Sequence, residues 1–155
     1  MPRAMLRTII AGFTLWTIGT CCAAADDAAS LGQPITDPAE ITHHMAGNTL
    51  TGFLKETGEH WAEYYCDTGR SLYAFGGINL GKWWTASGRV CFSYEYNNYE
   101  DPICFDMYGK PDGSLTFFTR DRGGTMTFVS APPVHGDPFH LEERAVHGCA
   151  LEPSV

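Results

Sequence analysis

GKWWTASGRVCFSYEYNNYEDPICFDMY, residues 81–108, is the stretch whose reading decides the fold. Aromatic and β-branched residues alternate with polar ones along it, and two turn signals, Ser87-Gly88 and Asn97-Asn98, cut it into three strands. With Asn97-Asn98 as a two-residue type I′ turn, Tyr96 faces Tyr99, Glu95 faces Glu100, Ser93 faces Pro102 and Cys91 faces Cys104. The pair beside such a turn is hydrogen-bonded, and the types then alternate. Ser93–Pro102 thus falls at a non-hydrogen-bonded pair, where proline's missing N–H removes no bond within the pair. Cys91–Cys104 falls at another, the closer kind of pair, where a cross-strand disulfide fits. Counting back through Ser87-Gly88 sets Trp83 opposite Phe92 and Trp84 opposite Cys91. One face then carries Trp83, Thr85, Val90, Phe92, Tyr94, Ile103 and Phe105 and is assigned to the core. The other carries Trp84, Ser93, Glu95 and the disulfide.

The same texture extends in both directions. Strands are expected at 49–55, 60–66, 71–75, 82–86, 89–96, 99–108, 114–119 and 125–131, separated by breaks that supply left-handed or preset turn residues. Upstream, Asp37 as N-cap, Pro38 at the first helical position and Glu40 three after the cap start one short helix. Ile41 and Met45 share its inner face, and Gly47 ends it. The fold class is therefore all-β with one short N-terminal helix. It is an antiparallel up-and-down meander of about eight strands, closing into a small disulfide-stapled barrel or a strongly curved sheet. The tail from Pro132 to Val155, rich in Pro, Gly and His, is expected to lie over the barrel with a helical turn near Leu141–Val146.

The ends speak to compartment. Arg3 and Arg7, an apolar run from Leu6 to Ile18, and Ala23-Ala24-Ala25 have the form of a signal peptide over residues 1–25. Residues 26–34 read as a flexible segment and 35–155 as a single domain. Cys21 or Cys22 as the lipid-bearing residue of an anchored lipoprotein is the rival reading. Loss of the leader takes the formal net charge from -8 to about -10, which argues against nucleic acid and anionic membranes and would suit a basic partner. No membrane span is expected in the mature chain. Four cysteines then remain, and an even number in a small exported chain reads as a disulfide framework with three possible connectivities. Pairing Cys91 with Cys104 leaves Cys66 for Cys149.

Candidate chemistry is sparse. Trp84, Tyr64, Tyr96, Tyr99 and Glu95 are the candidate ligand-binding residues, within a wider set of aromatics that also takes in Tyr65 and Tyr73, since aromatic surfaces can stack on sugars, lipids or peptides. Such residues also serve cross-strand packing. His135, His140, His147, Glu142 and Glu143 cluster in the tail without a recognised metal-ligand spacing, so no metal or cofactor is implied. No nucleophile-elbow, S-x-x-K or phosphate-loop motif occurs, and no catalytic residue is nominated.

Gly81-Lys82-Trp83, Gly88, Cys91, Tyr94 and Cys104, with Gly47-Asn48-Thr49, Tyr65 and Gly69-Arg70 upstream, together resemble a family of small exported bacterial proteins, the domain of unknown function 995. The likeness runs from about Ile35 to Val129. It implies an exported protein of unassigned activity and carries over no catalytic residue. Ser87-Gly88 followed by Tyr94 is similar to the signature of periplasmic lysozyme inhibitors of the small β-barrel type, with a longer spacing to the tyrosine and no Thr-Lys-Gly downstream. The expectation is a periplasmic or secreted, non-enzymatic module that binds a small ligand or a basic envelope protein. The alternatives are a proteinaceous inhibitor of a cell-wall hydrolase and, third, a metal-dependent or hydrolytic enzyme.

Overall fold

The structure, a computed structural model, describes residues 30–98, 100–121 and 124–150, with Asn97 described by its backbone alone. The proposed leader, with Cys21 and Cys22, and Tyr99 lie outside the described residues.

Among the described residues ten strands form one antiparallel sheet: β1 (Gln33–Ile35), β2 (Asn48–Leu54), β3 (His60–Tyr65), β4 (Arg70–Ala74), β5 (Ile78–Ala86), β6 (Arg89–Tyr94), β7 (Ile103–Gly109), β8 (Leu115–Thr119), β9 (Met126–Ser130) and β10 (Val134–His135). From β2 to β9 each strand pairs with its neighbour in sequence, and β9 returns to pair with β2. The eight strands close an up-and-down barrel. Closure removes the unpaired edges that an open sheet of this size would present.

Helix α1 (Pro38–Met45) starts as its sequence dictates: the Asp37 carboxylate accepts from the Ala39 N–H at 2.9 Å. Ile41 and Met45, both fully buried, enter the main core. The helix packs on β2, β5 and β6, and β2 lies opposite β6 in the barrel, so α1 plugs one end. The connections β2–β3, β4–β5, β6–β7 and β8–β9 surround the other end.

The central meander keeps the expected register: Trp83 faces Phe92, Trp84 faces Cys91, and Cys91 faces Cys104. Ser87 and Gly88 both take positive φ, the geometry of a tight I′-type turn. The Asn97-Asn98 turn is corrected. Pairing stops at Phe92–Ile103, and Glu95–Asn97 forms a 3-10 turn ending on Asn98 in the left-handed region. A tight turn there would set Glu95 against Glu100, and like charges directly opposite are unfavourable. The wider connection also carries Asp101 at positive φ, so the expected Ser93–Pro102 and Glu95–Glu100 pairs do not form.

Two short strands escaped the sequence reading. Gln33 and Pro34, expected to be loose, belong to β1, which pairs along β7 from Met107 to Gly109, beyond the point where β6 has left it. Likewise β10 takes over the edge of β2 at Asn48 and Thr49, where β9 no longer reaches. At this closing seam Gly52 meets β9 so closely that a Cβ would lie 1.9 Å from the Val129 carbonyl oxygen. Gly52→Ala is expected to force the seam apart and cost about 1–3 kcal/mol, read as a lower urea midpoint. Unchanged stability would mean that the β2–β9 approach is not needed.

A second apolar cluster lies outside the barrel. Leu72 and Leu80, on the outer faces of β4 and β5, bury with Cys66 against Leu141 of α2 (Leu141–Arg144). The Cys66–Cys149 disulfide holds this tail in place, and Cys91–Cys104 staples β6 to β7. Among the described residues no helix is long and apolar enough to cross a membrane.

Candidate functional site

Strand alternation sends Trp61, Glu63 and Tyr65 of β3 inward, with Ser71 and Tyr73 of β4, Phe92 and Tyr94 of β6, and Phe105 of β7. Towards α1 these side chains pack solidly, Trp83 donating its indole N–H to the Cys66 carbonyl at 3.1 Å. Towards the other end they leave a cavity of about 250 Å³. Its walls include Trp61, Tyr73, Phe92, Tyr94, Phe117 and Phe128, and it reaches the surface at Tyr96, which is 68% exposed. The Phe92, Tyr94 and Tyr96 rings stack in sequence at 6.4 and 5.4 Å, forming one continuous aromatic wall from interior to rim. Small-molecule sites are recurrently of this kind: concave, apolar, and found in barrel mouths.

One carboxyl interrupts the apolar lining. Glu63 is 3% exposed. Tyr65 donates to its Oε2 at 2.9 Å, and Tyr94, from a strand three further round the barrel, donates to both carboxylate oxygens at 3.1 Å. Burial pushes the Glu63 carboxyl up to about 7, against the tyrosine hydrogen bonds that favour its charged form. The Ser71 hydroxyl beside it favours the charged form too, at a geometry short of a full hydrogen bond. Burial and the neighbouring Glu63 hold Tyr65 and Tyr94 well above the usual phenol range. Tyr73 is pushed up to about 12, first by burial and then by Glu63, Tyr96 and Glu59. The buried Trp61 indole N–H has no hydrogen-bond partner among the described residues. Polar groups in a low-dielectric cavity interact strongly with whatever enters it.

Gly81 makes room for this arrangement. A Cβ there would stand 2.4 Å from the Ser71 hydroxyl and 2.8 Å from the Tyr94 ring. The glycine lets β5 pass behind the carboxyl without displacing either group.

Comparison with known proteins gives no match. No family model fits the chain, and no curated protein or solved structure is similar to it. The site therefore rests on its own geometry.

Of the five candidate residues the cavity takes in Tyr96 alone among those described, together with Tyr65 and Tyr73 of the wider aromatic set. Trp84 stands on the outer face of β5, 38% exposed beside the disulfide. Tyr64 points outward into the second cluster, where burial and the acidic Glu142, Asp67 and Asp137 raise its hydroxyl. Glu95 is exposed on the 3-10 turn. Ser93, assigned to the outer face, is buried and borders the cavity where β6 leaves β7. Glu63, Trp61 and Tyr94 were not nominated. Among the described residues no three His, Cys, Asp or Glu side chains converge as a metal site, and the tail histidines are not brought together.

Proposed function

We propose that this chain is a non-enzymatic binding barrel that holds a small, largely apolar ligand in the end of the barrel away from α1. The observation that carries the reading is the aromatic cavity itself, lined by a buried carboxyl and by an indole N–H that bonds to no described residue. Native interiors are packed close to crystal density, so a cavity of this size in a small barrel is a departure that a ligand explains. The envelope setting is drawn from the disulfides and from the resemblance carried by Gly81-Lys82-Trp83, Cys91 and Cys104. The inhibitor reading has less behind it. Its Ser87-Gly88 turn sits at the plugged end, with Gly88 packed so closely that a Cβ would lie 3.1 Å from the Thr36 carbonyl oxygen.

Isothermal titration with single-ring aromatics (propylbenzene, 2-phenylethanol and 2-phenylethylamine) tests the reading. At least one is expected to bind saturably with one site per chain. Met126→Trp, which puts a larger ring into the lining, is expected to abolish that binding while leaving the fold intact. Failure of all three to bind at millimolar concentration would sink the proposal.

A further inference from the structure

Among the described residues the cavity has one deeply buried ionisable side chain besides tyrosine, the acid Glu63, and no basic residue lines the cavity with it. From β3 Tyr65 faces Glu63, from β4 Ser71 and Tyr73, from β6 Tyr94, and β5 brings only Gly81 close. At the rim the ionisable groups are Tyr96 and Asp101, with Glu59 near Tyr73. Among the described residues the lining includes no lysine, arginine or histidine. Among the described residues of the surrounding connections, Arg120 lies over the Phe118 ring at 5.2 Å and Lys55 stands beside Glu56.

Both tyrosine hydroxyls donate toward the carboxyl, so its oxygens are arranged as acceptors and its own donors are not needed to complete the network. A buried carboxylate without a cation is costly, and removal of that cost by a bound partner appears as affinity. The aromatic walls supply the second element of cation recognition, since ring faces attract ammonium groups most strongly where water is excluded.

We propose that the ligand is a small organic cation, a protonated amine on an apolar body, whose ammonium group pairs with the Glu63 carboxylate while its body packs against Trp61, Phe92 and Phe128. This rests on the binding-barrel reading and adds the charge of its ligand. Binding requires the carboxyl to be ionised. With Glu63 at about 7 in the free protein, an amine that stays protonated throughout must drive off one proton at low pH and none at high pH.

The test compares 2-phenylethylamine with propylbenzene, which has a similar apolar body and no charge, by calorimetry at about pH 8 and about pH 5.5. The amine is expected to bind at least about tenfold more tightly than the hydrocarbon at the higher pH. Its affinity is expected to fall about 30-fold at the lower pH, with release of about one proton measured across buffers of different ionisation heat. The hydrocarbon's affinity is expected to change little. Glu63→Gln should erase both the preference and the pH dependence. Should that variant not fold, proton release by the wild-type protein decides alone. Equal binding of both probes, independent of pH, overturns the amine assignment and leaves the binding barrel standing. Binding of neither overturns the amine assignment, and if 2-phenylethanol fails as well the binding barrel itself falls.

Discussion

Glu63→Gln is expected to be more stable than the wild-type protein at about pH 8 and within about 1 kcal/mol of it at about pH 5. The carboxyl has an ordinary value of 4.5 and is raised to about 7 in the folded barrel. Between those two values the folded state holds a proton that the unfolded chain has released. Stability therefore falls as pH rises through this window and is level above it. The fall is on the order of 3 kcal/mol, the free energy of a shift of this size, which is a large share of a small domain's stability. Glutamine keeps the shape and can still accept from Tyr65 or Tyr94, but it carries no charge to bury. The difference between the two proteins isolates the effect, because other groups titrate in both. His44, lowered mainly by burial, works in the opposite sense and adds stability as pH rises. Glu56 and Asp112, both lowered, contribute stability that is lost only as pH falls through the carboxylate range. Denaturant unfolding of both proteins across pH measures it. Parallel curves would show that Glu63 is not carrying an uncompensated charge.

The barrel was legible in the sequence because its information is local. The Ser87-Gly88 turn and strict alternation fix the register of Trp83 and Trp84 against Phe92 and Cys91 with no long-range knowledge, and Cys91 stands opposite Cys104 as read although the tight turn at Asn97-Asn98 does not form. Strand β3 carried the signal for the site as well. In His60–Tyr65 the inward positions are Trp61, Glu63 and Tyr65, so a carboxyl flanked at two-residue spacing by large aromatics marks a buried acid. Exposed aromatics such as Trp84 give a more obvious surface signal but lie on the outer face. The partnership of Glu63 with Tyr94 was not legible, because it joins strands separated by two others and becomes a contact only when the sheet curls shut. Strands β1 and β10, three and two residues long, are too short to show a period, and each exists only because a neighbouring strand departs and leaves an edge to cover. The hairpin tip failed for another reason. Pro102 is compatible with the tight-turn register, but that register sets Glu95 against Glu100, and the chain widens instead into a 3-10 turn with Asp101 at positive φ.

Removal of the Cys66–Cys149 bond, as Cys66→Ala/Cys149→Ala, is expected to cost more stability than removal of Cys91–Cys104 by the same route. The first bond closes a loop between residues 83 apart in sequence, the second between residues 13 apart. Loop-closure entropy puts these at about 4–5 and about 3 kcal/mol respectively. Position widens the gap. Cys91 and Cys104 already face each other within the ladder that joins β6 to β7, so that hairpin keeps its register without the bond. The tail has less. Leu141 is buried on the outer face of β4 and β5, Thr68 donates its hydroxyl to the Cys149 carbonyl at 2.9 Å, and Arg70 donates to the Ala150 carbonyl. Freed from Cys66, that segment is held by Leu141, Ala145 and a few hydrogen bonds against the full entropy of its release. Trypsin should then cut after Arg144 in the native state far faster than in the wild-type protein. Cys91→Ala/Cys104→Ala should leave that site as slow as before. Equal costs for the two double variants would assign the stabilisation to local contacts at each bridge and not to loop closure. Rapid cleavage after Arg144 in the wild-type protein would mean that the tail does not shield the second cluster at all.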